Sequence, residues 1–486
     1  MLTNLQQFVP AAYVPGFEAP AIEDLYIDSR DVMPGTGFVA LRGSQSDGRA
    51  FIQSAFDKGA RIAFADTEGM AVPHAWREKV IHIPELEARI ASMAADFYDH
   101  PSANMATVAV TGTNGKTSVA CFVAAALGKL IGPCGYIGTL GWGVETFEPL
   151  LNTTPDVVSM HRLLAKMKAA SARSAVFEAS SIGIHQGRID DVVIDVAVFT
   201  NLSRDHLDYH GDFASYAEVK RQLFLRPGLQ AAVINVDDPM GAEWVKDIHA
   251  DCRVITYGLK ASADVVLTRV EYRLNGTAMQ LKVPCGLVEI DVPVVGEYNA
   301  MNVMAACAVL CHYSEDCQRI AEALQLITGV PGRMELVGTG NPVVLVDYAH
   351  TPDGLESALQ ALRPHCQGRL IVVFGCGGDR DKGKRPQMAA VCESLADVLV
   401  VTSDNPRSEH PMDIIGDVLQ GLSAAAKPVV QVDRRLAIGE AISLAGEGDC
   451  ILIAGKGHED YQIIGDQHFP FDDRQVAKAF LSGGEA

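Results

Sequence analysis

The chain predicts an α/β protein of three domains, and three observations carry that prediction. Its 486 residues are too many for one hydrophobic core and enough for about three domains of ~150 residues each. Short apolar runs alternate with helix-prone stretches over most of its length, as expected for βαβ units around a mostly parallel sheet. The run MATVAV at 105–110 breaks into a glycine-rich turn and then an alanine-rich stretch, TSVACFVAAALGKL. That strand–turn–helix order aims a helix N-terminus at a ligand.

Up to about residue 98 the chain mixes apolar runs with the turn pairs Pro34-Gly35 and Asp47-Gly48, then ends in the helical pattern ELEARIASMAADFYDH before Pro101. The proline and the following strand set a first boundary, giving an N-terminal domain over 1–100. A central domain over 101–330 follows. In it AVFEAS, IDVAVFTNL and AAVINVDD read as strands, and their polar ends, Glu178, Asn201 and Asp237, fall where open α/β sheets gather ligands. Within 254–295, VVLTRVEYRL, Asn275-Gly276 and TAMQLKV carry a hairpin signal, so this stretch reads as a β-rich appendage of the central domain. After VPGRME the runs VVLVDY, LIVVFG, DVLVVTSD, PVVQVD and CILIAG recur with helical intervals, predicting a Rossmann-like α/β domain over 331–486.

A net charge of −20 and a pI near 5.1 offer no basic field for a phosphate backbone, which excludes nucleic acid or an anionic membrane as a general partner. Local cations can still bind small anions, and Arg-Asp-Lys-Gly-Lys-Arg at 380–385 is such a cluster. The first residues, MLTNLQQFVPAAYVPG, carry no secretory pattern, and no apolar run reaches 18 residues, so a cytoplasmic protein without a membrane span is expected, as a monomer. Eleven cysteines without paired metal spacing suit reduced thiols. Cys307, Cys311 and Cys317 stand closest together, and their small-residue helical setting favours buried side chains over a metal site.

The turn itself, TGTNGKTS, has the chemistry of a phosphate cradle. Gly112, Thr113, Asn114 and Gly115 let backbone N–H groups converge on phosphate oxygens, Lys116 brings a point charge, and the hydroxyls of Thr117 and Ser118 follow, Thr117 suited to Mg²⁺. Only two residues separate Gly112 from the Gly115-Lys116 pair, where the usual nucleotide loop has four. The central domain is therefore expected to be P-loop ATPase-like with a shortened loop. Glu178 in VFEASS and His206 in NLSRDHLDYHG offer a carboxylate and an imidazole for a divalent ion. Farther on, DYAHTPDGLE, FGCGGDRDKGKRP, SDNPRSE and AGKGHEDYQ each leave an apolar run, so four polar loops converge on one sheet edge. Arg380 and Arg407 there are candidate anion clamps and Glu459 a partner for an ammonium, a set that suits a zwitterion.

Taken in order, TGTNGKT, NLSRDHLDYHG, GEYNAMN, VPGRME, VDYAHTPDGLE and GKGHE resemble the ATP-dependent Mur ligases, which assemble the peptide of the bacterial cell-wall precursor. The resemblance covers nearly the whole chain. DSR at 28–30, NTTPD at 152–156 and DNPR at 404–407 are similar to members that add the third amino acid, and DNPR resembles the motif that recognises meso-diaminopimelate. This implies ATP with Mg²⁺, that amino acid, and UDP-N-acetylmuramoyl-L-alanyl-D-glutamate as acceptor. By the same resemblance Asn299, Asn302, Arg333 and Asp347 surround the nucleotide. The nucleotide-sugar end of the acceptor meets Ile27, Ser29, Ser44, Gln45 and Ser46, and its peptide end meets Asn152, Thr153, Thr154, Ser180, Gln186 and Arg188. Diaminopimelate meets Arg380, Asp404, Asn405, Pro406, Arg407, Gly455 and Glu459. Lys220 matches a lysine that the family carries as a CO₂-derived carbamate, giving Thr117, Glu178, His206 and Lys220 as the implied metal set; by its residues alone Lys220 reads as a surface helix lysine. The chain departs from the family at Ile182 and at Ser44, where a histidine is common.

An amide ligase of this type activates a carboxylate as an acyl phosphate, which an amine then attacks. Lys116, Glu178, His206 and Lys220 are the implied catalytic residues, with His350 and His458 as possible proton handlers. Three alternatives stay open on the sequence: a lysine-adding relative, a folate-polyglutamate ligase sharing the short loop, and a nucleotide-controlled binding module that forms no amide.

Overall fold

Four short parallel strands, Leu25–Tyr26, Gly37–Ala40, Ile62–Ala65 and Val80–His82, lie side by side in chain order. The sequences GFVA and IAFA are buried at every position, as parallel strands covered on both faces must be. Helix Leu86–Phe97 covers one face with Leu86, Ile90, Met93, Ala94 and Phe97, spaced at one to two helical turns. Val32, Phe38, Ala40, Ile52 and Ala63 pack the other. The computed structural model describes residues 21–43, 46–338 and 342–482. Ser44 and Gln45, expected at the acceptor, lie outside the described residues.

By backbone proximity the described residues divide into two units. The first draws on Met1–Ala109, Ile131–Ala197 and Gln222–Gln230, the second on Val110–Leu130, Val198–Arg221 and Ala231–Ala486. Besides the four strands, the first unit holds Cys134–Gly138 paired in parallel with Ser174–Glu178 and antiparallel with Gly141–Gly143. Its helix Val157–Ala169 starts at Asp156, whose carboxylate caps Ser159 N at 2.9 Å.

In the second unit the strands Ala231–Asn235, Arg253–Gly258 and Val265–Arg273 run parallel, and Gly276–Val283 and Gly286–Val292 then fold back antiparallel. The β-rich stretch is thus a continuation of a parallel sheet by two hairpins. Helix Glu297–Tyr313, nearly all small or apolar and buried, packs on helix Lys116–Leu130. Cys307 and Cys311 are buried within it. One cysteine expectation is corrected: Cys317 forms a disulfide with Cys285, their Cα atoms 5.9 Å apart and so within bridging range, while the other nine are free.

The last sheet has the order Glu335–Gly338, Val343–Asp347, Cys450–Ala454, Leu370–Phe374, Val398–Val401, Val429–Val430, with only the first strand antiparallel. Strand alternation assigns its faces. Leu370, Val372 and Phe374 meet Leu355, Leu359, Met388 and Ile414 of three helices, whereas Ile371 and Val373 meet Ile438, Ala441 and Val476 of two others. With both faces covered, the loops at the strand ends carry the polar residues. No described helix is long and apolar enough to cross a membrane.

Arg434 and Asp473 open those last two helices and are both fully buried, Nε to Oδ1 at 2.8 Å and Nη2 to Oδ2 at 2.7 Å. Arg434→Met should destabilise the chain by about 3–5 kcal/mol, because Asp473 would keep a buried charge without its partner. The double variant Arg434→Met/Asp473→Leu should be less destabilised than the single one, as read by equilibrium denaturation.

Candidate active site

The phosphate loop is built on Gly112, whose φ is 146° and which has no room for a side chain: a Cβ there would come within 1.9 Å of Thr200 Oγ1. The loop is moored to the next strand's end. Thr113 N donates to Asn201 O at 2.8 Å, Asn114 N to Asn201 Oδ1 at 2.9 Å, and Thr200 Oγ1 to Asn114 O at 2.6 Å. Lys116 Nζ donates to Gly112 O at 3.0 Å and to Thr113 O at 2.8 Å, so its ammonium lies along the loop. Arg333 Nη2 reaches Thr117 Oγ1 at 3.1 Å, its guanidinium 4.3 Å from the centre of the Tyr348 ring.

Asn114, Gly115, Ser118, Asn302, Arg333 and Asp347 line one cavity of about 520 Å³, a size that takes a nucleotide-scale ligand. Asn299 lies behind it, its Nδ2 on Val295 O at 2.9 Å and its Oδ1 accepting from Asn302 Nδ2 at 3.2 Å. The Asp347 carboxylate is tied to Met334 N and Ala349 N, and burial raises its pKa. Polar residues converging on a glycine loop and a helix N-terminus fit a nucleoside polyphosphate. Among the described residues no three His, Cys, Asp or Glu side chains form a ready metal cage.

Lys220, expected on a surface, is 1% exposed and donates to Gly112 O at 2.8 Å. Burial, with Lys116 beside it, lowers its amine well below the usual lysine range, against a smaller pull from Asp205. His206 takes a left-handed backbone, φ 54°, with its Nε2 3.5 Å from Asp205 Oδ2. Burial alone would raise the Asp205 carboxyl, yet His206, His350, Lys384 and Lys116 outweigh it and hold the group at about 2. Burial, helped by Lys384, pushes His350 down to about 4. Its Nδ1 lies 2.8 Å from Tyr348 O, which as an acceptor requires the proton on Nδ1. His350 is therefore neutral near pH 7 and a weak base. The next loop over is linked too: Arg204 Nε pairs with Asp381 at 3.2 Å.

In the first unit Glu178 is fully buried, Oε1 accepting from Tyr136 Oη at 2.7 Å and Thr139 N at 2.8 Å. Thr139 Oγ1 is 3.1 Å from Thr153 Oγ1, and Thr154 Oγ1 donates to Glu178 O at 2.8 Å and to Ser180 Oγ at 2.9 Å. Arg188 Nη1 donates to Thr154 O at 2.7 Å while its Nε and Nη2 hold Gln186 Oε1. Ile27, Ser29, Ser46 and Asn152 line a cleft of about 870 Å³ together with Trp142, Arg162 and Lys166. Asn152, Thr153 and Thr154 thus run from that cleft toward Glu178.

The four C-terminal loops also converge. Asn405 Nδ2 donates to Glu459 Oε2 at 2.8 Å, and a cavity-side carbon on Gly455 would meet Asp404 Oδ2 at 2.8 Å. Arg407, φ 52°, directs Nη1 to Gly378 O at 2.8 Å. Burial first, then the neighbouring Arg380, lowers the pKa of Arg407, and two neighbouring guanidiniums favour an anion close by. Arg380 itself is exposed, its Nη1 3.0 Å from Asp379 O. Pro406 O presses on Gly378 so closely that a Cβ there would lie 1.9 Å away.

Sequence reasoning missed several residues at this centre. Lys456 is fully buried and donates to Asn405 Oδ1 at 2.9 Å and Glu459 Oε2 at 3.0 Å, so Glu459 already faces one ammonium. It lies inside the GKGHE motif and was legible there. Asp205, beside His206, was equally visible. The basic run at 380–385 divides: Arg385 is 1% exposed and ion-paired, Lys384 is buried, and Lys382 is exposed.

Three stretches match family profiles described as Mur ligase family, catalytic domain (21–98), Mur ligase middle domain (110–310) and Mur ligase, glutamate ligase domain (332–457). The UDP-N-acetylmuramoyl-L-alanyl-D-glutamate--2,6-diaminopimelate ligase of Coxiella burnetii is 42% identical over 467 residues, 95% of this chain and 96% of its own. The protein of the same description from Ectopseudomonas mendocina is 43% identical over 485 residues, 99% of each chain. A solved structure of a ligase of that description aligns with a TM-score of 0.68 at 33% identity over 99% of both chains. The chain therefore belongs to the Mur ligase family, with its three-part α/β fold.

Proposed function

We infer that the chain is an ATP-dependent ligase joining 2,6-diaminopimelate to UDP-N-acetylmuramoyl-L-alanyl-D-glutamate in the synthesis of peptidoglycan precursor. One observation carries the reading beyond nucleotide binding: Arg407, Arg380, Asp404, Asn405 and Glu459 meet on loops of the unit that also holds the phosphate cradle. A switch needs no such seat for a zwitterion. The domain roles proposed are acceptor nucleotide over 1–100, ATP over 101–330 and amino acid over 331–486. A UDP-linked acceptor and ATP are intracellular solutes, which supports a cytoplasmic site of action.

The chemistry is bond exchange in two stages. An oxygen of the D-glutamate γ-carboxylate attacks the γ-phosphorus of ATP and the bond to ADP breaks; the amine then attacks the acyl carbon and phosphate leaves. Lys116 and the helix N-terminus at 116 neutralise the approach of two anions. Of the expected metal set, Thr117, His206 and Lys220 as a carbamate belong to one unit and would hold Mg²⁺, which supplies charge stabilisation to the transferring phosphoryl group. The lowered amine of Lys220 supports the carbamate, because only a neutral amine adds to CO₂. Thr153, Thr154, Ser180, Gln186 and Arg188 orient the acceptor's peptide end. The guanidinium of Arg407 pairs with the carboxylate that diaminopimelate has and lysine lacks. His350, held near 4, accepts a hydrogen bond through Nε2 more readily than it strips a proton from an alkylammonium.

ADP release should require the acceptor and diaminopimelate together, and mass spectrometry should find acceptor plus amino acid less one water. Release with the acceptor absent would support a nucleotide switch instead, and glutamate addition to a folate would support the folate ligase. Arg407→Ala should reduce the preference for diaminopimelate over lysine by about 1–3 kcal/mol in kcat/KM; an unchanged preference in competition would remove Arg407 from that role. Protein equilibrated with ¹³C-bicarbonate should give a carbamate carbonyl NMR signal that is missing in Lys220→Gln.

A further inference from the structure

We propose that Arg385 and Glu409 are positioning residues that set amino-acid selectivity by fixing where Arg407 points. The proposal rests on the amino-acid-binding reading of the C-terminal loops. Arg385 is the second residue of helix Lys384–Leu395 and is 1% exposed. Its Nη2 donates to Glu409 Oε1 at 2.7 Å and its Nη1 to Glu409 Oε2 at 3.0 Å, a two-point grip, while Nη1 also reaches Asp417 at 2.8 Å. The same fork extends to Gly377 O at 3.3 Å, and Glu409 Oε1 accepts from Asp379 N at 2.6 Å. One buried guanidinium therefore holds the 377–379 loop directly and the 404–409 loop through Glu409.

Between those loops lies the only hydrogen bond made by the Arg407 guanidinium that is shorter than 3.0 Å among the described residues, Nη1 to Gly378 O at 2.8 Å. Gly378 N donates back to Asn405 O at 2.9 Å, and Asp379 takes Ser408 Oγ at 2.6 Å. Arg407 is a non-glycine residue in the left-handed region, a conformation that persists only when its surroundings enforce it. The strand Tyr461–Ile464 grips its backbone on the other side, Arg407 N on Ile463 O at 3.1 Å. Arg385, followed by the rest of its surroundings, holds the Glu409 carboxyl at about 2, so the grip stays charged through the neutral range. Lys382 also touches Glu409, at 3.1 Å, but its side chain is 67% exposed and such pairs contribute little. A lysine at 385 would keep the charge and lose the fork that spans both loops.

The test uses the full-length enzyme with Arg385→Lys, Glu409→Gln and Asp417→Asn, each first checked by its thermal unfolding midpoint. Steady-state KM is measured for diaminopimelate, ATP and acceptor, along with the kcat/KM ratio of diaminopimelate to L-lysine. Arg385→Lys and Glu409→Gln should raise KM for diaminopimelate by about tenfold and shrink the ratio by about tenfold, leaving KM for ATP and acceptor within about twofold. Asp417→Asn, which removes only the partner of Arg385 on helix Pro411–Leu419, should leave the ratio unchanged. A ratio unchanged in Glu409→Gln, with kcat lowered for every substrate, would overturn the proposal, as would an equal shift in Asp417→Asn. If Arg385→Lys does not fold, Glu409→Gln against Glu409→Asp decides by the same ratio, the aspartate being expected to retain part of it. Failure of the underlying reading shows separately, as a wild type without preference for diaminopimelate.

Discussion

Two lysine amines share one carbonyl: Gly112 O accepts from Lys116 at 3.0 Å and from Lys220 at 2.8 Å. Much of the central machinery follows from that crowding. Two full ammonium charges so close, one of them buried, repel strongly where water cannot screen them. Lys220 is displaced toward neutrality chiefly by its burial, with Lys116 adding to the effect. The carbonyl can be shared only because Gly112 adopts a conformation that brings the loop backbone against Thr200. Burial against that loop, with Lys116 adding to it, thereby sets the charge state of Lys220.

The C-terminal loops solve a related problem with opposite signs. Burying Lys456, Asp404 and Glu459 together is tolerable because each charge has a partner, and Asn405 satisfies both Lys456 and Glu459 through its two ends. Lys456, Asp404 and Glu459 together carry one negative charge in excess, and Arg407, with Arg380 near it, feels both of those carboxylates.

The fold was legible wherever apolar periodicity was strong. The unbroken apolar runs LIVVF and CILIA mark strands covered on both faces, and the Ala-rich stretch after Gly115 marks a helix that must pack closely. The phosphate loop was legible because glycine, lysine and threonine are needed at fixed offsets whatever the fold around them. Lys220 was not: a lysine in SYAEVKRQLF carries no local sign that Tyr216 and Gly112 will enclose it. Arg385 was hidden by its neighbours, since a run of basic residues reads as one solvated cluster, and only the helix phase that turns 385 inward separates it from 382. The Cys285–Cys317 pairing depends on where a hairpin turn meets a helix start, a long-range property that spacing does not encode. Four helix starts carry a local sign of their own, Asp156, Asp238, Asp316 and Asp433 each capping from the position just before its helix.

The ion pair between Arg204 and Asp381 joins the loop that carries Asp205 and His206 to the loop that carries Arg380. Through it the charges of the two loops act on one another, equally in both directions. The side chains are 46% and 13% exposed, so this communication runs partly through solvent and weakens as ionic strength rises. The strength of this link between the two loops is then a quantity that salt can tune, while the buried contacts on either side keep their geometry.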